Sequence, residues 1–351
     1  PINNEVVNWI AAVPELSYTV FALLSLIFYV KYRRSQGVEQ SRPIFRDKNL
    51  LLVFLFYFLG MLSKEPAALL PVLFFVLDLT LFRLPGQGSR LKQFFRLKDN
   101  PYIILALLFF TFVIVKTVVL QGFLKSQPFY QFTIGERIYA FFELFAKYLL
   151  KLIDPYPLLF FYPFRASSHI ASPQFFVFMS VFALFGLGIY LFTKRRMNLH
   201  AFFLVWIFVF LFPVLAFLNS LGENIFAERY LFLPSVGFAF LLSSSIGYLA
   251  QYRNKLGKTA TLMMILLLVT ISWFIIYPRN KVWKDSEMLF TKTLERNPDA
   301  HPLRFDRAVE WGVKAGDFEG AKREFEEIER RNPHWVYIHK VYNNLGDVYS
   351  M

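Results

Sequence analysis

The sequence predicts an all-α fold, a polytopic membrane bundle followed by a smaller helical domain, and three features carry that prediction. Eight apolar runs recur along the chain, basic residues gather in alternate connections between them, and after Pro278 the composition turns charged and amphipathic. Of the 351 residues 56% are hydrophobic and 19% aromatic, whereas a soluble domain holds about 45–50% apolar residues.

The runs are Leu16–Tyr32, Leu50–Leu62, Ala67–Phe82, Tyr102–Leu120, Phe175–Phe192, Ala201–Leu218, Leu231–Ala250 and Thr261–Tyr277, read as about eight crossings of a hydrocarbon layer roughly 30 Å thick. The second and third are short and share the hinge Ser63-Lys64-Glu65-Pro66, so they are expected to meet at one membrane face. Basic clusters follow the odd-numbered runs: Lys31, Arg33, Arg34, Arg42, Arg46 and Lys48; Arg83, Arg90, Lys92, Arg96 and Lys98; Lys194, Arg195 and Arg196; Arg253, Lys255 and Lys258. All of them then lie on the cytoplasmic side. The other face receives Pro1 to Glu15, the Lys64-Glu65 hinge, residues 121–172, the strip Asn219 to Arg229 and everything after Pro278. The net charge of +13 is thereby a topology signal and not a nucleic-acid face.

Arg137–Ile153 is apolar enough to resemble a further span, but counting it would misplace Lys194-Arg195-Arg196. Its Glu143, Lys147 and Lys151 form one stripe at helical spacing, which predicts an amphipathic helix in the outer interface; a ninth span with a compensating re-entrant loop stays open. Residues 1–278 thus form the membrane domain and 279–351 a second domain. There Phe290 and Pro298 recur 35 residues later as Phe325 and Pro333. Ala321, Phe325 and Pro333 have the spacing of the second helix of a tetratricopeptide repeat, and Tyr342, Leu345, Gly346 and Tyr349 that of the first; generic amphipathic helices remain the alternative. With Pro1 in place of an initiator Met, and a helical pattern interrupted at Met351, the sequence is expected to be a fragment lacking material at both ends.

Zero cysteines exclude disulfides, thiolate metal sites and cysteine nucleophiles. His169 has no second His at a ligand spacing, so no metal is assigned. Chemistry is expected at the outer face, where Glu5, Lys64, Glu65, Glu223, Glu228, Arg229 and Tyr230 all stand at mouths of spans. Ionisable groups at a membrane boundary are costly to place. A cation at headgroup depth suits a lipid-bound phosphate, for which Arg offers a bidentate fork, and a carboxylate can take an acceptor's proton. The same residues also suit a transporter gate, a set of ordinary interfacial charges or a membrane-anchored repeat scaffold. No run has an ionisable residue at its centre, which argues against transport. Glu5 can equally cap a helix, Lys64-Glu65 can form a local ion pair, and Glu228-Arg229 can satisfy each other. Asp78, at a cytoplasmic helix end, reads as structural, and Lys116 as a snorkelling side chain.

Three stretches resemble a known family. Pro1-Ile2-Asn3-Asn4-Glu5-Val6-Val7 is similar to the His-Pro-Val-His-Thr-Glu segment of the transmembrane and tetratricopeptide-repeat O-mannosyltransferases and their bacterial relatives, within the GT-C superfamily of glycosyltransferases that use polyprenyl-linked sugars. Ser63-Lys64-Glu65 with Leu77-Asp78-Leu79 resembles that family's Lys-Glu hinge and Tyr-Asp-Leu helix end. Ala227-Glu228-Arg229-Tyr230-Leu231-Phe232-Leu233-Pro234-Ser235-Val236-Gly237 resembles its Glu-Arg-x-Leu-Tyr-Leu-Pro-Ser-x-Gly stretch. The resemblance implies transfer of a sugar from a polyprenyl-phosphate donor to a protein or peptide acceptor on the periplasmic face of a bacterial inner membrane, with the acceptor held by the C-terminal repeats. It implies no cofactor besides the lipid-linked co-substrate. Glu5 would be a supporting acid, Lys64 and Arg229 would hold the carrier phosphate beside Tyr230, and Glu65 and Glu228 would orient those cations. The family's main acidic pair lies in an outer loop that would precede Pro1.

Overall fold

The computed structural model describes residues 1–36, 46–82, 100–119, 132–162, 164, 167, 169–250 and 255–350. Arg42, Arg83, Arg90, Lys92, Arg96, Lys98 and Arg253, with residues 121–131 of the expected outer loop, lie outside the described residues. Among the described residues the secondary structure is helical, apart from one antiparallel bridge between Tyr162 and Phe226.

Several helices begin where a side chain accepts from their first free N–H groups. A short helix α1 (Asn4–Asn8) and a 3-10 turn (Ile10–Ala12) lead into α2 (Val13–Gln36). Asp47 accepts from Asn49 N and Leu50 N to start α3 (Lys48–Ser63). A 3-10 turn (Glu65–Leu69) then enters α4 (Leu70–Thr80). Asn100 caps α5 (Pro101–Ile114), which has Pro at its first position and runs on as a π-turn (Val115–Val119). Thr133 and Glu136 form a reciprocal capping box on α6 (Ile134–Ile153). Ser172 caps α7 (Pro173–Lys194), and α8 (Asn198–Ala216), two 3-10 turns (Leu218–Ser220 and Glu228–Leu231), α9 (Pro234–Ala250) and α10 (Lys255–Val282) complete the apolar part.

Five segments are long and apolar enough to cross a membrane, Ile10–Ser35, Pro101–Val118, Pro173–Lys194, Asn198–Ala216 and Gly257–Val282. These are the candidate spans among the described residues, where eight runs were expected. The hinge consumes Glu65–Leu69 and leaves α4 with 11 residues, which at 1.5 Å per residue reach about 17 Å. At 16 residues, α3 reaches about 24 Å, also short of the hydrocarbon thickness. Apolar composition set the expected span, whereas helix length is set by where the backbone breaks.

Two cores organise the bundle. The first joins α2, α3, α4, α5 and α8 around fully buried Tyr29, Tyr57, Phe74 and Trp206, with Tyr29 stacked on Phe74 at 4.3 Å. The second joins α6, α8 and the 218–231 segment around Phe145, Tyr148, Leu211 and Ile225. In α6 two of the three residues of the expected charged stripe face the protein. Glu143 and Lys151 are buried, while Ile134, Ile138, Leu150 and Ile153 are exposed.

At one end of the bundle Asp78 accepts from Tyr29 at 2.7 Å and Tyr102 at 3.0 Å and pairs with Arg33 at 2.7 Å, tying α2, α4 and α5. The segments expected on the opposite face meet one another elsewhere. Asn4 donates to Asn280 at 2.6 Å, Trp9 packs edge-on against Phe160 at 5.4 Å, and Asn224 donates to the Phe160 carbonyl.

Helices α11 (Ser286–Arg296) and α12 (His301–Arg307), a π-turn (Ala308–Val313), α13 (Phe318–Arg331) and α14 (Ile338–Ser350) form the C-terminal part. Phe161 joins Leu289, Phe290 and Leu303 in one small core, and Ala308, Ala321, Phe325, Trp335 and Leu345 share another. A Cβ on Gly312 would lie 2.6 Å from Ala321 Cα, so the two segments touch backbone to backbone. Tyr342 and Tyr349, expected to pack within a repeat, are exposed.

Gly237 fixes the contact of α9 with α8 in the same way. A Cβ there would sit 2.8 Å from the Phe203 carbonyl and 3.0 Å from Trp206 and Ile207. Gly237→Ala is expected to cost about 1–3 kcal/mol through overpacking, read as a lower unfolding temperature in detergent. An unchanged temperature would mean that this contact does not hold α8 and α9 together.

Candidate functional site

The strip 219–233 folds back over the bundle because a polar, charged sequence cannot continue the apolar helix α8. Its 3-10 turn Glu228–Leu231 has Ala227 in an extended conformation ahead of it and no side-chain cap, so its first N–H groups need an outside acceptor. Glu5 supplies one. Its Oε2 accepts from Arg229 N at 3.0 Å and its Oε1 from Arg229 Nη1 at 2.8 Å, and the residue is only 1% exposed. Burial pushes the Glu5 carboxyl up, against the pull of Arg229. Burial opposes the charge on Arg229 as well, but Glu5 holds it above the usual guanidinium range.

A second pair stands beside the first. Lys64 donates to Glu15, and Glu15 Oε1 lies 4.0 Å from Arg229 Nε. Burial lowers the Lys64 ammonium below its ordinary range despite Glu15. Tyr230 lies under both cations, with its ring centroid 5.6 Å from Lys64 Nζ and 5.0 Å from Arg229 Cζ, and the Trp9 ring is 5.3 Å from that guanidinium. Glu5, Glu15, Lys64, Arg229 and Tyr230 therefore converge from α1, α2, the hinge and the strip.

Two residues expected to orient these cations make their direct contacts elsewhere. Glu65 pairs with Lys116 at the end of α5, not with Lys64, and Lys116 is thereby held by an acid rather than left to snorkel. Lys64 is extended and Glu65 opens the next turn, so neighbours in sequence diverge in space. Glu228 does not pair with Arg229. Its Oε1 accepts from Tyr162 OH and from Leu159 N, the latter at 2.9 Å. Glu223 lies apart, near Asp306 and Lys340, and burial first, then Asp306, pushes its carboxyl up to about 7.

Glu15, Trp9 and Tyr162 were not singled out from the sequence. Glu15 had a signal, since it is the acid that opens the first apolar run and stands at a span mouth like the others. Trp9 and Tyr162 have none, because only the folded chain brings them to Arg229 and Glu228. Among the described residues, no group of three or more His, Cys, Asp or Glu side chains is placed to hold a metal ion.

Parts of the chain are similar to curated proteins. A stretch of 113 residues, 32% of the chain, is 31% identical to Protein O-mannosyl-transferase Tmtc2 of Drosophila melanogaster and covers 12% of it. Another of 76 residues, 21% of the chain, is 33% identical to Protein O-mannosyl-transferase Tmtc1 of the same fly and covers 9% of it. A third of 79 residues, again 21% of the chain, is 33% identical to Protein O-mannosyl-transferase TMTC1 of Homo sapiens over 9% of its length. The chain thus spans about a tenth of the length of the curated relatives it matches. No family model and no solved structure matches. The chain is a multi-pass membrane protein, helical among the described residues, with partial similarity to O-mannosyl-transferases.

Glu228 gives the site a pH signature. Burial in the first place, opposed by the Tyr162 hydrogen bond, pushes its carboxyl up from 4.5 to about 7. The folded chain then holds this proton where the unfolded chain has lost it, so stability falls as pH rises from 4.5 to about 7. Glu228→Gln should remove that share, and the unfolding temperature of the variant in detergent should decline less across the window than the parent's. Equal slopes would show that Glu228 titrates as an ordinary carboxyl.

Proposed function

We propose that this protein is a GT-C-type membrane glycosyltransferase of a bacterial inner membrane, moving a sugar from a polyprenyl-phosphate donor to a protein or peptide acceptor on the periplasmic face. The observation that carries this reading is the convergence of Glu5, Glu15, Lys64 and Arg229, from four separate segments, at the end of the bundle where the C-terminal helices also attach. The partial similarity to curated O-mannosyl-transferases supports the same reaction class.

In this reading an acceptor hydroxyl oxygen bonds to the sugar's anomeric carbon as the bond from that carbon to the phosphate oxygen breaks. The electron pair leaves on the lipid phosphate, and the hydroxyl proton passes to a carboxylate. Lys64 and Arg229, with Tyr230 against them, are the cations that meet the donor headgroup. Glu5 is the supporting acid that holds Arg229 in place, and Glu15 does the same for Lys64. Glu65 steadies the hinge through Lys116, and Glu228 fixes the strip to the 157–162 segment. The C-terminal helices, read as tetratricopeptide-like repeats, present the acceptor. The lipid-linked sugar is a co-substrate, and no other cofactor is invoked.

Arg229→Ala is expected to lower sugar transfer from a polyprenyl-phosphate-linked donor by about 100-fold or more, measured with the protein in its membrane. Transfer within threefold of the parent would remove Arg229 from the site and leave the charged cluster as a tether between α1 and the strip.

A further inference from the structure

The buried cations at the strip end of the bundle fall into two sets. Arg229 and Lys64 are matched one to one by Glu5 and Glu15. Arg279 and Lys151 have no such match. Arg279, in the last turn of α10, is 7% exposed, and its Nε and Nη2 are both buried without a hydrogen-bond partner. Among the described residues no carboxylate forms an ion pair with it, and its guanidinium rests against Trp283, with Cζ 5.4 Å from the ring centroid. Lys151 is equally buried. Its ammonium donates to the Pro157 carbonyl and lies 4.9 Å from the Tyr162 ring centroid.

The 157–162 segment lies between these two cations: the Trp283 ring under Arg279 packs edge-on against Phe160 at 5.6 Å, and Tyr162, two residues on, lies under Lys151 and donates to Glu228. Each is within electrostatic reach of the other and of Glu228. Glu228 does not neutralise either by contact, since its Oε1 is taken by Leu159 and Tyr162 and its buried Oε2 has no partner. Glu5, which also acts on Arg279, is engaged with Arg229, and Asp154, which acts on Lys151, accepts from Tyr156 N.

Nε and Nη2 are the two donors on one edge of a guanidinium, the edge that grips two oxygens of a carboxylate or phosphate at once. A buried donor pair left empty is costly, and natural structures fill such positions. Arg279 follows directly on the apolar run Thr261–Tyr277, so its fork stands at the depth of a lipid headgroup. A second cation on α6 and a carboxyl able to hold its proton complete a setting for a tetrahedral oxyanion. We infer that Arg279 and Lys151 form a phosphate-binding site at headgroup depth, distinct from the Arg229–Glu5 and Lys64–Glu15 pairs. The inference rests on the transferase reading only for the molecule to which the phosphate belongs, not for the binding itself.

The test is a titration of the chain in detergent micelles with farnesyl phosphate, farnesol and inorganic phosphate, followed by tryptophan fluorescence, which Trp283 beside Arg279 makes sensitive to occupancy. Farnesyl phosphate is expected to bind at least tenfold more tightly than farnesol, and Arg279→Gln and Lys151→Gln should each weaken it about tenfold or more. Inorganic phosphate competing as well as farnesyl phosphate assigns the site to a soluble phosphate ester. Competition at least tenfold weaker assigns it to a lipid headgroup, and either result upholds the site. Should Arg279→Gln fail to fold, Arg279→Lys, which keeps the charge and loses the fork, takes its place with the same expectation. The site is overturned if the parent binds neither phosphate, if the Arg279 and Lys151 variants bind as the parent does, or if Arg229→Gln abolishes binding that Arg279→Gln retains. Phosphate binding that depends on Arg279 in a protein unable to transfer sugar would leave this site standing and end the transferase reading.

Discussion

The Glu5 carboxylate binds two different parts of Arg229, the guanidinium through Oε1 and the backbone N–H through Oε2. One buried side chain therefore neutralises a charge and completes the start of a 3-10 turn 224 residues away in sequence. Burying two charges is unfavourable unless geometry and extra hydrogen bonds offset the loss of water, and removing one partner of such a pair typically costs about 3–5 kcal/mol. Here the backbone bond is the extra contact. It explains why a helix as short as α1 has a fixed place: Asn3 is bonded to Ser235, Asn4 to Asn280, and Trp9 lies on the guanidinium that Glu5 holds. The same place is an apolar one, where Ile2 shares a core with Ile225 and Leu231 of the strip and Ile275 of α10.

Both ends of the bundle contain buried polar groups, but they differ in how completely those groups are matched. Asp78 gathers Arg33, Tyr29 and Tyr102 from two neighbouring helices. Three partners on one carboxylate make a closed network, which holds α2, α4 and α5 in register and has little left to offer a ligand. At the strip end the quartet of Glu5, Glu15, Lys64 and Arg229 balances its own charge. Next to it Arg279 and Lys151 carry charge without an ion-paired carboxylate. A fold tolerates such an imbalance at a site more readily than in a core, since a site has something further to bind.

Long apolar segments were legible from composition alone, since α2, α7 and α10 each contain one of the expected runs and α5 and α8 hold most of another. The shorter α4 was legible as apolar, but not in length, because the turn Glu65–Leu69 takes up residues that hydropathy counts as span. The charged residues at span mouths were legible because charge at a boundary is visible in a sequence. Their partners were not. Lys64-Glu65 and Glu228-Arg229 read as pairs because they are adjacent, yet adjacent residues on a helical or 3-10 turn point to different sides. The actual partners, Glu15 for Lys64, Lys116 for Glu65, Glu5 for Arg229 and Tyr162 for Glu228, come from other elements. Pairing across elements is decided by packing, which a single sequence does not encode in its spacing.

Helix α6 shows the same lesson in its orientation. Its stripe of Glu143, Lys147 and Lys151 was legible, and the usual expectation sends such a stripe to water. In a membrane setting the solvent on one side is hydrocarbon, so the apolar Ile134, Ile138, Leu150 and Ile153 face outward while Glu143 and Lys151 face the protein. Glu143 and Lys147 then satisfy each other one turn apart. Lys151, a turn further on, has no acid of its own and reaches only the Pro157 carbonyl and the face of Tyr162. The inversion of one amphipathic helix thus delivers an unmatched cation to the region where α10 ends in Arg279. Two helices with opposite tasks, one lying against the protein with Glu143 and Lys151 inward and one among the candidate spans, place positive charge together, and it is the burial of both residues that makes the coincidence costly enough to require a function.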